Sequence, residues 1–444
     1  MKKRLVRSAL AASAVAVACG APIALAANRG GHVKAVTASS PVTISYLFQG
    51  SSSEMAMYKQ YAATYHKLNP NVTVDVRVVP FANLLSTIRT QANSSAGPTI
   101  ANIYDLWLGQ LTQGGIAAAA PASVTTDVKK NWGASSAAGV TNEGKVRGYP
   151  NEVDLYALNY NKALFRKAGL SGPPKTWTQL LSDSAKLKAA GVAQPFGVIT
   201  EWDSGVVHPW LSLVDSDGGA LLKNGKPNLT GRAEEETTKL YTTLVKDHYT
   251  VPSMTTANAE TTGPYMDNFT SGKTAMIIMA NWWESDLKAG FGSKFNSEVG
   301  TAPIPVGPHG KTSSAVSYGW SNIVNAHASS AEQKAAWAFL TWLDSPASGK
   351  KGASAEGTIL TSLGILPSRQ SDLKAFASKL KTPFLKTYVS ELKTATPFPS
   401  VVPGAQLTDV MQQQLEAVIE GQSSASAALS SAQSQAQSLL SAAS

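Results

Sequence analysis

At 444 residues the chain exceeds what one hydrophobic core usually serves, so two domains, or two lobes sharing crossovers, are expected. Its 38 Lys and Arg outnumber 29 Asp and Glu, but four of the cations lie in the first seven residues; without them 34 face 29, a net of +5. No Lys/Arg run and no basic stripe interleaved with aromatics follows, which argues against nucleic acid as a partner, and no second apolar stretch approaches 18 residues.

The chain opens with Lys2, Lys3, Arg4 and Arg7 and an Ala/Val/Leu run to Ala18, the layout of a secretory signal. Two cleavage points fit. Ala16-Val17-Ala18-Cys19-Gly20 is a loose lipobox that would remove residues 1–18 and leave Cys19 lipidated, and Ala24-Leu25-Ala26 is a small-x-small site that would remove residues 1–26. Anchoring through Cys19 requires the multiply acylated bacterial form, because a single chain holds only marginally. Cys19 is the only cysteine, so the fold is held without disulfides. Residues 27–40 lack an apolar period and read as a tether.

From Val42 to Phe48 an apolar run reads as a buried strand, closed by a turn at Gln49-Gly50-Ser51. Ser51 and Glu54 have capping-box spacing, and Tyr58, Tyr61, Tyr65 and Leu68 keep helical period until Asn69-Pro70. Val72, Val74, Val76 and Val78 then alternate with polar residues as a second strand, and a third, residues 99–104, runs into Asp105-Leu106-Trp107. Strand, helix and strand in this order predict a doubly wound α/β lobe, with ligands at the carboxyl ends of the strands.

Residues 148–170, GYPNEVDLYALNYNKALFRKAGL, set Tyr149, Glu152, Asp154 and Tyr156 around an apolar extended run, and Thr176 with Gln179 caps the helix after it. Further on come a turn-rich connection at 217–227, a helix over 233–246, a buried strand ending in Asn281-Trp282-Trp283, and a return segment at 300–305. A strand over 317–323 and a helix over 331–343 follow. The Ser/Ala/Gln-rich tail, residues 421–444, keeps Ala425, Leu429, Ala432, Ala436 and Leu439 near a 3.6 period and predicts a docked terminal helix.

The segment 148–170, with Pro173-Pro174-Lys175-Thr176-Trp177 behind it, resembles the signature of the family 1 extracellular solute-binding proteins, the sugar-capturing components of ABC importers. The resemblance implies a two-lobed α/β fold of the type II periplasmic-binding-protein kind, each lobe a mixed or parallel sheet flanked by helices, with the ligand cleft between. It places lobe 1 at 41–149 plus 300–353 and lobe 2 at 150–299 plus 354–444. It also implies a monomer outside the cytoplasmic membrane, lipid-anchored or free, that meets a carbohydrate and the permease subunits of an importer without cofactor, metal or turnover.

Carried over residue by residue, Gln49 and Ser51 contribute polar contacts from the first turn, where relatives often carry an acid; the departure leaves the identity of the ligand open. Asp105 and, across the cleft, Asp154 and Tyr156 accept from ligand hydroxyls, with Glu152 beside them. Trp282 supplies a stacking platform and Gly319-Trp320 closes the site. Arg369 stands where some relatives contact the ligand, though a salt-bridged arginine is the competing reading.

Ten tryptophans are the positive signal, because an indole face buries the C–H face of a sugar. Trp177, Trp337 and Trp342 belong to helices and are expected in cores; Trp107, Trp202, Trp282, Trp283 and Trp320 lie at strand ends or in turns, where core and cleft compete. Motifs of other chemistries fail. Gly-Lys-Thr occurs at Gly272 and Gly310, but Asp267 and Pro305 occupy the place of the first P-loop glycine. The six histidines never pair at metal spacing, and no Gly-x-Ser-x-Gly is present. Two alternatives stay open: another polar solute such as glycerol phosphate, and a carbohydrate-active enzyme using paired carboxylates.

Overall fold

A computed structural model describes residues 40–94, 96–200, 205–256, 264–399 and 401–443. The signal segment, Cys19, the tether up to residue 39 and Trp202 lie outside the described residues.

Strand β1 (Val42–Phe48) pairs in parallel with β2 (Val72–Val78), Val42 opposite Val72 and Phe48 opposite Val78. Between them runs helix α1 (Ser52–Leu68), started by the Ser51 hydroxyl, which accepts from the Glu54 N–H at 3.2 Å. Its face of Tyr58, Ala62 and Tyr65 is buried against the sheet, and Asn69-Pro70 ends it. Helix α2 (Phe81–Gln91) leads to β3 (Ile100–Tyr104), on the far side of β1. The order β2-β1-β3, all parallel, is the predicted doubly wound start.

The fourteen-residue strand β4 (Gly148–Asn161) is buried along nearly its whole length. Helix α3 (Trp177–Ala189), strand β5 (Gln194–Gly197), helices α4 (Val207–Ser216) and α5 (Arg232–Lys246), and strands β6 (Thr274–Ala280), β7 (Val299–Ala302) and β8 (Val316–Val324) follow. Helices α6 (Ser330–Leu343), α7 (Ala355–Leu363), α8 (Gly404–Ile419) and α9 (Ala425–Ala442) complete the regular elements used below. The strands form one hydrogen-bonded path, β2-β1-β3-β8-β4-β6-β5, with β7 also on β4.

Strand β4 serves two partner sets. Up to Leu155 it pairs antiparallel with β8; from Tyr156 it pairs with β6, and from Leu158 with β7 as well. The expected division at residue 149 therefore falls inside the half tied to β8. Gly300 still pairs with Tyr160, so the chain leaves the second set only after Ala302. Residues just past 353 also stay with the first set: α7 packs on α1, and the Val153 N–H donates to the Leu366 carbonyl at 3.0 Å.

One apolar cluster centres on Ile44, Tyr46, Tyr58 and Phe339, between β1, α1 and α6. The other extends from Ile88 and Ile103 through β4 and β6 to α4, α5, α8 and α9. The terminal helix α9 buries Ala425, Ala428, Leu429, Ala432 and Ala436 against α8 and α5. Small side chains at that period let helices approach closely, which is why so polar a tail docks.

Candidate ligand-binding site

Residues i and i+2 of a strand share a face, and the register of β3, β8 and β4 turns that rule into a floor. Tyr104 of β3 lies opposite Trp320 of β8, Trp320 opposite Glu152 of β4, and Tyr318 opposite Asp154. Asn102, Tyr104, Tyr318, Trp320, Glu152, Asp154 and Tyr156 all line one cavity of about 530 Å³. Ser321 pairs with Pro150 while Trp320 pairs with Glu152, so Asn151 is the extra residue of a β-bulge. Bulges re-aim side chains. Asn151 both lines the cavity and donates to the Glu356 carboxylate behind it.

The other walls come from chain turns. Gln49, Gly50 and Ser51 leave β1 into the cavity, and Glu54 follows from the first turn of α1. A single 3₁₀ turn, Asn281–Trp283, closes β6. Asn281 accepts from the Leu155 N–H at 2.7 Å and donates to Asp154 Oδ1 at 3.0 Å, locking the carboxylate in place. Trp282 enters the cavity and its indole N–H donates to the Tyr318 hydroxyl at 2.8 Å. Its neighbour Trp283 turns the opposite way, is 0 % exposed, and packs on Tyr265, Phe269 and Met266.

Of the sequence-derived candidates, Gln49, Ser51, Glu152, Asp154, Tyr156, Trp282 and Trp320 are thus brought together. Five others lie elsewhere. Trp107 sits behind the floor, stacked on Phe81 at 5.6 Å and edge-on to Trp320 at 5.8 Å. Trp283 is core. Asp105 and Gly319 face the opposite side of the sheet, where Asp105 Oδ2 accepts the Gly319 N–H at 2.8 Å beside a cavity of only about 30 Å³. Gly319 is required by close approach: a Cβ there would stand 2.4 Å from the Glu152 carbonyl oxygen. Arg369 lies over the Trp132 ring, 4.5 Å from its centre, and pairs with Asp127 at 3.4 Å, the salt-bridged alternative in buried form.

Tyr104 and Tyr318 are cavity residues that sequence reasoning passed over in favour of Asp105 and Gly319, one position along each strand. Glu54 was read only as half of a capping box; Ser51 does cap its N–H, but its carboxylate lines the cavity. Asn102, Asn151, Tyr58 and Asp286 carried no signal beyond their elements.

Burial dominates the electrostatics. It raises Glu54 to about 7 and Asp154 to about 7, the latter in spite of hydrogen bonds with Glu152 and Asn281. Glu152 is raised well above the carboxylate range by burial and then by the charges of Asp154 and Glu54. Two carboxyls so close and so dry do not both ionise readily at neutral pH. Asp286 is raised by burial. Beneath the ring cluster His208 is pushed down to about 3 by burial and stands neutral, its Nδ1 3.3 Å from the Tyr156 hydroxyl.

Ring faces alternate with acceptors and amides around a solute-sized space, an arrangement suited to holding a hydroxylated solute. The sequence profile of the bacterial extracellular solute-binding proteins matches residues 49–350. The chain belongs to this family. A mannitol-binding protein of Pseudomonas aeruginosa is 27% identical over 316 residues, 66% of this chain and 69% of that one. In structure the chain is similar to the GacH receptor of Streptomyces glaucescens, solved unliganded and with acarbose, at TM-score 0.76 and 23% identity, covering 90% of this chain and 98% of that one. The sugar-binding protein MalE of Xanthomonas citri gives TM-score 0.75 at 19% identity, over 90% and 98%. At such identities the structural likeness establishes the fold.

Proposed function

We propose that the protein captures a sugar or polyol in the 530 Å³ cavity and delivers it unchanged to the permease of an ABC importer. The observation that carries this reading is the floor itself, where Tyr104, Tyr318 and Trp320 alternate with Asn102, Glu152 and Asp154. Flat rings take the C–H faces of a hydroxylated ring, and buried acceptors take its hydroxyls; an analogue lacking one hydroxyl leaves a partner unpaired at about 1–3 kcal/mol.

The lobes that close on the ligand are β1–β3 with β8 and the first half of β4, against the second half of β4 with β5–β7 and the helices on them. Asp154 and Tyr156, on either side of the handover at Leu155, meet the ligand whichever way the lobes move. Glycerol phosphate loses its footing, because no Lys, Arg or His lines the cavity among the described residues. Export follows from the family; retention by lipidated Cys19 or release after Ala26 is settled by the mass of the mature protein.

A thermal-shift panel of polyols, mono- and disaccharides tests the reading. A ligand at 100 times its dissociation constant stabilises by about 2.7 kcal/mol. Appearance of shorter products on incubation with the best-binding oligosaccharide would replace capture by catalysis.

A further inference from the structure

Resting on the capture of a hydroxylated solute in this cavity, we infer that the ligand carries a protonated amine on its sugar or cyclitol frame. Four carboxyls line the cavity, Glu54, Glu152, Asp154 and Asp286, and no Lys, Arg or His accompanies them among the described residues. None of the four appears in an ion pair among the described residues, whereas two carboxylates away from the cavity do find cations: Asp127 pairs with Arg369, and Glu284 with Lys288. A further buried carboxylate, Glu356, stands directly behind, held by Tyr58 and Asn151. The carboxyls of the site therefore have no cation partner within the described structure, and burial holds them partly protonated until one arrives.

A second observation is independent of that count. Asp154 is 0 % exposed and lines the cavity; its Oδ1 is used by Asn281, while its Oδ2 has no partner among the described residues apart from the carboxyl of Glu152 beside it, a donor only while protonated. A buried carboxylate oxygen without a donor is expensive, so a donor is expected to arrive with the ligand. A hydroxyl would satisfy that oxygen without stabilising ionised Glu152 and Glu54; an ammonium does both. The rings of Trp282, Trp320, Tyr104 and Tyr318 around the same space also favour a cation over their faces.

The raised carboxyls add a signature. With the cavity empty, the Glu152 and Asp154 pair does not fully ionise near neutrality; an ammonium beside them favours the doubly ionised form. Amine binding then expels a proton, and binding of a neutral sugar does not.

Isothermal titration of the mature protein at pH 7, in two buffers of different ionisation enthalpy, tests this with matched probes. Glucosamine is compared with glucose and N-acetylglucosamine, and the chitosan dimer with cellobiose and the N-acetylated dimer. The expected result is binding at least tenfold tighter for one of the free amines than for both its counterparts, with proton release approaching one per ligand. Asp154→Asn should erase most of that preference. Because Asp154 is fully buried and its variant could misfold, Asp286→Asn at the half-buried helix start gives a second reading, a several-fold loss confined to the amines. Equal or tighter binding of the neutral or acetylated partner overturns the charge inference and leaves sugar capture standing. Failure of all six probes, together with the polyol panel, overturns capture itself and the inference with it.

Discussion

Two faces of the same three strands differ in almost everything but their backbone. On the even-numbered face of β3, β8 and β4, Asn102, Tyr104, Tyr318, Trp320, Glu152 and Asp154 meet open space. On the odd-numbered face Ile103, Asp105, Gly319, Val153 and Leu155 meet packing, and the one acid among them is tied to a backbone N–H. On the closed face the Asp105 carboxyl is held by the Gly319 N–H beside a space of only about 30 Å³, whereas the polar groups of the open face border a space of about 530 Å³ that a solute can enter. Position on a strand end therefore does not mark a ligand residue. Parity does.

The largest expected effect breaks the comparison at its sharpest contrast, the adjacent pair Trp282 and Trp283. Trp283→Ala empties a fully buried site and should cost about 3–5 kcal/mol of stability, read as a fall in the denaturant midpoint. Trp282→Ala should leave the midpoint nearly unchanged and weaken ligand at least tenfold, since a stacked ring is worth about 0.5–1.5 kcal/mol beyond its area. The reverse pattern would mean that the 3₁₀ turn presents the other indole. Next in size is the acid pair. Asp154→Asn removes a charged acceptor worth about 1.5–3 kcal/mol and should lower affinity at least tenfold. Asp105→Asn should not alter affinity, because the 30 Å³ space beside it admits no sugar. A tenfold loss there would put Asp105 back in the site.

Where pattern and packing agreed, the sequence was readable. The strands at 42–48 and 72–78 match the structure residue for residue, because an apolar run between turns and a strict Val alternation each have one solution. Helices expected over 233–246 and 331–343 begin one residue earlier, at Arg232 and Ser330, and the terminal helix docks through the alanines that kept its period. The face of the site was not readable. Strand β4 is buried on both sides, so Glu152, Asp154 and Tyr156 had no alternation to set them apart, and only the family signature pointed there. At the ends of β3 and β8 the charge of Asp105 and the small size of Gly319 drew the reading one residue off the cavity. The bulge at Asn151 has no local signal, since it arises from the pairing of β4 with β8. Shared use of β4 by two strand sets likewise hides the handover at Leu155 from any pattern along the chain.

The smallest expected effect concerns pH, and it separates the two faces without a ligand. Burial raises Asp105 to about 8 and, in the cavity, Asp154 to about 7, against roughly 4 in an unfolded chain. Between about pH 4 and 8 the folded protein thus holds protons that the unfolded chain has released. Stability from these groups is fully present near pH 4 and is lost as pH rises through 7 and 8. His208, pushed down to about 3, acts in the opposite sense, but its contribution is confined to pH below about 6.5. Denaturant midpoints of the ligand-free protein should therefore decline from pH 6.5 to 8.5. In Asp105→Asn the amide oxygen can still accept from Gly319, and no proton is left to lose, so the decline should be shallower by at most about 1.4 kcal/mol per pH unit. Saturating ligand should leave that Asp105 increment in place, since it lies on the closed face, and should change the increment of Asp154→Asn. If ligand altered both increments alike, the two faces would be energetically one, and the distinction drawn from strand parity would fail.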